Sequence, residues 1–301
     1  MSEKGQKIMA NKTIKLGTHI VSDSSTPYMI AEIGINHNGD IQIAKKLMDA
    51  AFACEWDCVK YQKRTPDIAV PEAQKQVPRD TPWGTMAYID YKKHIEFEKE
   101  EYDVIDEYCK SKPLDWTASP WDLPSLEFLL EYDVPFIKIP SALNTNKEII
   151  KRACESGKPV VLSEGMSELN EMDTTIGWLE DYSNGDYIIC HTNSSYPSPN
   201  NELNLRLINT MRERYDCLVG YSGHEANLEP SVIAAVLGAC LIERHVTLSH
   251  DMWGSDQKAS LEVQAMALLK KRITSALETL GDGEKRLYET ELKKRRELRG
   301  N

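Results

Sequence analysis

Hydrophobic and polar positions follow two rhythms along this chain. Short apolar and β-branched runs at 28–33, 58–61, 115–118, 136–139, 159–162, 187–190, 217–221 and 239–244 read as strands. After each run the apolar positions fall at helical spacing, over 41–54, 98–111, 123–132, 147–156, 168–181, 203–214, 230–237 and 261–280. Asp40 ahead of the first helical stretch and Pro124 near the start of the third are helix-start residues. Strand then helix, eight times in 301 residues, predicts an α/β fold of the (β/α)8 TIM barrel type, with its chemistry at the C-terminal strand ends. An open doubly wound sheet is the structural alternative. Against it, no GxGxxG follows the first strand and no acidic residue stands about 20 positions on to hold a ribose. The stretch 13–22 predicts a small N-terminal hairpin cap on the bottom of the barrel. The expected organisation is a polar segment and cap at 1–27, a barrel at 28–282 and a basic tail at 283–301.

Each predicted strand runs into polar or ionisable residues. They are Glu32 with Asn36 and His37, Lys60 with Gln62, Ser119, Lys138 with Ser141, Ser163, His191 with Asn193, Ser222 with His224, and Glu243 with His245. A barrel mouth needs some solvation, so one or two such residues would be unremarkable. Lysines, hydroxyls and amides converging with histidines fit a phosphate and a metal better. His224 and His245 end consecutive strands, and two neutral imidazoles on one rim would suit a divalent ion. The long irregular connection 63–95 follows a strand, which places it on the catalytic face. It is expected to act as a lid that excludes water, the alternative being a structural excursion packed over the rim.

Composition narrows the partners. A net charge of −11 argues against a nucleic-acid partner and would repel an anionic ligand at long range. A phosphate site must therefore be built locally. The polar N-terminus has no apolar signal-peptide core and the longest apolar run, 232–242, is too short to span a bilayer, so a cytoplasmic location is expected. Seven cysteines are scattered without CxxC pairs and read as buried free thiols.

Eight segments carry a resemblance to a known family. They are AEIGINHNG at 31–39, VKYQ at 59–62, SPW at 119–121, IKIPS at 137–141, PVVLSEGM at 159–166, CHTNSSYP at 190–197, YSGH at 221–224 and IERHVT at 242–247. In that order the chain resembles the sialic acid synthase (N-acetylneuraminate synthase) family, which condenses phosphoenolpyruvate with an N-acylated hexosamine. The resemblance implies phosphoenolpyruvate contacts at Lys60, Ser119, Lys138, Ser141, Ser163, Asn193 and Ser222. It implies a divalent Mn2+ or Mg2+ on His224 and His245, carboxylates Glu32 and Glu243 beside the reacting atoms, and sugar contacts from Gln62, Tyr196 and Asp256. N-acetylmannosamine or a related acylamino hexose is the expected acceptor, and a homodimer the expected assembly.

Three departures bear on the acceptor. The family's sugar site commonly has a glutamate where this chain has Leu143. Glu164 stands where the family often has threonine. Members carry a C-terminal antifreeze-like domain that donates an arginine to the N-acyl group, and a single-domain form lacking it is expected here. The stretch 284–299 is too short for that domain and reads as an extended segment with a short basic helix, either solvated or docked on a partner subunit. Trp83 or Tyr88 in the lid could take over sugar recognition. Two other functions compete: a Schiff-base aldolase using Lys138 as nucleophile, and a noncatalytic sugar-phosphate-binding barrel that regulates a partner.

Overall fold

The strand pattern closes on itself. In the computed structural model, which describes residues 12–299, the parallel barrel strands are β1 (Tyr28–Gly34), β2 (Cys58–Lys63), β3 (Asp115–Pro120), β4 (Ile137–Ile139), β5 (Val160–Ser163), β6 (Tyr187–Thr192), β7 (Leu218–Gly223) and β8 (Leu241–Thr247). Their hydrogen-bonded order is β3-β2-β1-β8-β7-β6-β5-β4, so the first and last strands are neighbours. That pairing sets Ile30 beside Glu243 and Glu32 beside His245. Only the seam between β3 and β4 lacks a backbone ladder among the described residues. There the Thr117 hydroxyl donates to the Phe136 carbonyl at 2.8 Å. The fold is the TIM barrel that the sequence pattern predicts.

Side chains alternate between the two faces of each strand. Met29, Ala31 and Ile33 on β1, Val59 and Tyr61 on β2, and Val219 and Tyr221 on β7 turn outward into the core beneath the helices. Ile30, Cys58, Phe136, Val161, Cys190 and Leu241 turn inward and fill the lower half of the barrel. Two residues further along the same strands stand Glu32, Lys60, Lys138, Ser163, Thr192 and Glu243. One periodicity thus builds an apolar floor and places a polar layer on top of it.

The N-terminal hairpin, Thr13–Leu16 against His19–Ser22, is antiparallel and closes the bottom. Its Ile14, Leu16 and Val21 are buried among those inward apolar residues. Each such burial contributes about 1.5–3 kcal/mol. Gly17 turns the hairpin at φ +56°, where a Cβ would collide with the Asp115 carboxylate.

The outer helices start where side chains can cap them. Asp40 accepts from the Gln42 amide at 2.7 Å, Asp122 from Ser125 at 2.8 Å and Asn146 from Ile149 at 3.2 Å. Two helix starts differ by two residues or more from the sequence reading. The helix expected over 203–214 begins at Leu207, because Asn200–Glu202 takes a tighter 3-10 turn first. The helix expected from 261 begins at Val263, because Leu261–Glu262 adds a short parallel pairing to the end of β8.

The connection over 63–95 is ordered. It holds helices Pro66–Ala69, Glu72–Lys75 and Tyr88–Ile95 with a hairpin of Pro78–Thr81 and Gly84–Ala87. Tyr91 and Ile95 bury against Ile35 at the end of β1, with Met86, Tyr88 and Trp253 packed around them. The tail contains a helix, Glu289–Arg299, with no buried residue. No helix among the described residues is long and apolar enough to cross a membrane.

Candidate active site

Above the apolar floor, the inward positions of the strands line a cavity of about 200 Å³. At its base, Lys60 Nζ meets Glu32 Oε2 at 2.8 Å and Glu243 Oε1 at 3.5 Å, and donates to Ser119 Oγ at 3.0 Å. Across from it, Lys138 Nζ donates to Ser163 Oγ at 2.6 Å and stands 3.9 Å from Glu243 Oε2. Ser222 donates to Glu243 at 3.1 Å. Gln62 donates to Glu32 at 3.0 Å and links this floor to the rim. All four charged side chains are buried.

Burial opposes each of these charges, and the neighbours decide which survive. For Lys60, burial is outweighed by Glu243 and Glu32, which hold the ammonium above its usual range. Lys138 is pushed down, because burial and the nearby Lys60 outweigh the pull of Glu243. Burial would raise Glu243, yet Lys138 and Lys60 keep it well below the usual carboxylate range. Two lysines against two glutamates leave the floor with no net charge to attract an anion.

The rim histidines sit above Glu243, with ring centroids 5.4 Å apart. His224 Nδ1 contacts the Asn193 carbonyl at 2.6 Å, so that nitrogen carries the proton and Nε2 is left as an acceptor. Tyr196 donates to Nε2 at 2.9 Å. Burial, then the adjacent His245, lower the His224 pKa to about 3 and keep the ring neutral. His245 Nδ1 is buried without a hydrogen-bond partner, 3.8 Å from Asp256 Oδ2. Two imidazoles on one rim, one of them the neutral His224, fit a divalent ion. Its charge would supply what the neutral floor lacks toward a polyanionic ligand. Among the described residues no three ligand-type side chains cluster, so water and substrate would complete the shell.

The cavity gathers Glu32, Lys60, Gln62, Ser119, Lys138, Ser141, Ser163, Tyr196, Ser222, His224, Glu243 and His245. Asp256 lines a second cavity, beneath the 63–95 connection, with its Oδ2 3.8 Å from His245 Nδ1. The Asn193 side chain is turned into its own loop, where it donates to the Glu202 carbonyl and accepts from the Ser195 amide. His37 stacks on Phe97 at 3.8 Å, Asn36 bonds Val246 and Ser260, and none of these lines the cavity. His191 lies on the outward face of β6, its Nδ1 2.6 Å from Glu164. That pair gives Glu164 a structural partner away from the cavity. Leu143 packs on the outer core, so no sugar-facing carboxylate comes from that position. Of Trp83 and Tyr88 in the 63–95 connection, Tyr88 lines the second cavity, whereas Trp83 packs at a tilt against His94, ring centroids 4.1 Å apart.

Several residues join the lining that the motifs did not single out: Thr192 at the end of β6, Ser194 on the loop after it, Met166 after β5, and Trp121, which lines both cavities. Strand parity identifies Thr192, which lies two positions beyond the inward Cys190. Arg64 and Lys92 line the second cavity with Asp256, in a connection whose irregularity hides them from any periodic pattern.

The sequence model of the NeuB family matches residues 47–285. The chain belongs to the NeuB family. An N-acetylneuraminate-9-phosphate synthase of Drosophila melanogaster is 37% identical over 253 residues, 82% of this chain and 67% of that protein. An N,N'-diacetyllegionaminic acid synthase of Campylobacter jejuni is 32% identical over 271 residues, 88% of this chain and 80% of that one. The crystal structure of a sialic acid synthetase from Leptospira borgpetersenii, in complex with citrate, superposes with a TM-score of 0.84 at 28% identity, covering 97% of this chain and 99% of that one. These NeuB relatives make sialic and other nonulosonic acids, and this chain is a condensing enzyme of that type.

Proposed function

We propose that this NeuB protein condenses phosphoenolpyruvate with N-acetylmannosamine or a related acylamino hexose to give a nonulosonic acid and inorganic phosphate. The observation that carries the reading is the buried quartet of Lys60, Lys138, Glu32 and Glu243, ringed by serine hydroxyls beneath His224 and His245. Two ammonium groups and the Ser119, Ser163 and Ser222 hydroxyls suit the phosphate and carboxylate of an enol phosphate. The carboxylates suit a reaction in which positive charge develops and is then removed.

Carbon 3 of the enol phosphate attacks the aldehyde carbon of the open-chain sugar, and the aldehyde oxygen gains a proton. Carbon 2 becomes an oxocarbenium centre, which the ionised Glu243 stabilises. Water adds there and gives up a proton, for which Glu32 and Glu243 are the acceptors within the cavity. The tetrahedral intermediate then expels phosphate by C–O cleavage and leaves the keto acid. His224 and His245 would hold a divalent Mn2+ or Mg2+, which supplies Lewis-acid polarisation of the aldehyde oxygen. Gln62 and Tyr196, at the junction of the two cavities, orient the acceptor.

Phosphate release from phosphoenolpyruvate in the presence of Mn2+, with and without N-acetylmannosamine, tests this reading. Sugar-dependent release that His245→Ala abolishes supports it. No phosphoenolpyruvate binding to the folded protein overturns it. The named relatives include makers of phosphorylated and of unphosphorylated acid sugars, so they leave open whether the acceptor carries a phosphate.

A further inference from the structure

The second cavity, of about 280 Å³, lies between the lid and the barrel rim and shares Gln62, Trp121 and Tyr196 with the first. An acceptor whose aldehyde end reacts over Glu32 therefore extends its far end into this space. What waits there is cationic. Lys92 projects from the lid helix and is only 9% exposed. Among the described residues no carboxylate or carbonyl takes its ammonium, which has only the Tyr88 and Tyr91 rings at 5.3 and 5.2 Å. Arg64, immediately after β2, is buried with its Nε unpartnered by any hydrogen bond, and its guanidinium lies 4.8 Å from the Trp121 ring. Its neighbour Glu96 is shared, at 3.2 Å from Lys63 and 3.9 Å from Arg64 Nε. Arg79 approaches from the lid hairpin, held over Tyr91 at 4.7 Å and Trp253 at 5.4 Å.

Burying a lysine without an anion is costly, and adjacent arginines add to the cost. The lysine's pKa is accordingly lowered to about 7, by burial first and Arg64 next. The cavity lining has a single acid, Asp256. Two or three cations around one pocket match a doubly charged oxyanion better than a neutral sugar hydroxyl.

We propose that the lid-side cavity binds a phosphomonoester at the far end of the acceptor sugar, with Lys92 and Arg64 as its cationic contacts and Arg79 closing over it. The enzyme then uses a phosphorylated acylamino hexose and forms a phosphorylated acid sugar. This rests on the condensing reaction proposed above. Asp256 is left to accept hydrogen bonds from sugar hydroxyls.

The test compares kcat/KM for N-acetylmannosamine 6-phosphate and N-acetylmannosamine, following loss of the phosphoenolpyruvate enol absorbance. Wild type is expected to prefer the phosphorylated sugar at least tenfold. Lys92→Met should cut that preference by about tenfold or more, whereas Lys92→Arg should keep most of it. Equal use of both sugars by wild type, or a preference that Lys92→Met leaves intact, overturns the proposal. Turnover with neither sugar overturns the condensing reaction instead. In that case calorimetric binding of N-acetylmannosamine 6-phosphate decides: binding that Lys92→Met weakens upholds the subsite, and no binding to wild type ends it.

Discussion

Arg244 and Glu225 form an ion pair on the outer face of the barrel wall, Nη1 to Oε1 at 2.8 Å, with both side chains at 0% exposure. Each is the sequence neighbour of a rim histidine, Arg244 of His245 and Glu225 of His224. Ser231 donates to the same Glu225 oxygen, and Tyr221 to the other. The pair fixes from behind the two strand ends that present the imidazoles.

Removing one partner leaves a buried charge uncompensated. Glu225→Gln is expected to cost about 3–5 kcal/mol in urea unfolding. Replacing both residues with apolar side chains of similar volume should recover much of that loss. A single variant as stable as wild type would show that the pair does not hold the wall.

Glu243 has a different task. Glu243→Gln keeps the shape of the floor but removes the charge proposed to face the developing oxocarbenium. The expected result is a kcat loss on the order of 10²–10⁴-fold. Equilibrium phosphoenolpyruvate binding should not weaken, since Lys60 and Lys138 lose a competitor for the anion. Weakened binding with unchanged kcat would assign Glu243 to substrate affinity instead. The same pair of measurements on Glu32→Gln separates the two carboxylates.

Chelation should stop turnover and added Mn2+ restore it. His224→Ala and His245→Ala are each expected to weaken Mn2+ binding tenfold or more, read from the electron paramagnetic resonance signal of free Mn2+. Unchanged binding in both variants would remove the metal from these histidines.

Lys92 sets a pH signature. Burial lowers its pKa to about 7, helped by Arg64 and Arg79 and opposed by Asp256 and Glu96, with the Tyr88 and Tyr91 rings packed against it. Below that pH it is charged and binds phosphate; above it the contact is lost. For the phosphorylated acceptor, kcat/KM should therefore fall as pH rises through about 7. The sugar phosphate's own second ionisation, with a pKa of about 6, adds a rising limb on the acid side. Lys92→Arg should abolish the fall. An unaltered profile in that variant would assign the titration to another group.

A stability effect with its own sign comes from His191. Burial lowers its pKa, but the hydrogen bond and charge of Glu164 outweigh burial and raise it. A raised folded-state pKa contributes stability that is complete below the unfolded value of about 6.5 and is lost as pH rises through the folded value. Glu164→Gln should flatten the dependence of urea midpoints on pH above that value.

The barrel was legible because eight apolar runs alternate with helical spacing. The runs were read as ending too early, at 244 where β8 continues to Thr247 and at 190 where β6 continues to Thr192. The reason is physical: polar residues that line the cavity end the apolar run, and the ladder carries on through them. Alternation along β6 also sorts His191 from Thr192, since Cys190 points inward and its neighbour must point out. The motif residues around β7 and β8 divide the same way, Ser222 and Glu243 facing the cavity while Tyr221 and Arg244 support the wall. Arg64 and Lys92 had no such guide. They meet only after the connection folds back over the rim, a tertiary event without a sequence period.

The missing ladder between β3 and β4 gives the barrel one stave that is not nailed to the next. Ser119 stands at the end of β3 and Lys138 on β4, so the seam runs directly between two of the groups proposed to grip the enol phosphate. Widening the mouth there breaks no main-chain hydrogen bond between strands, only the Thr117 contact to Phe136. Any other stave would have to give up a row of them. The ring is therefore expected to open along this line first, and amide protons of β3 and β4 that face it should exchange ahead of those elsewhere in the wall.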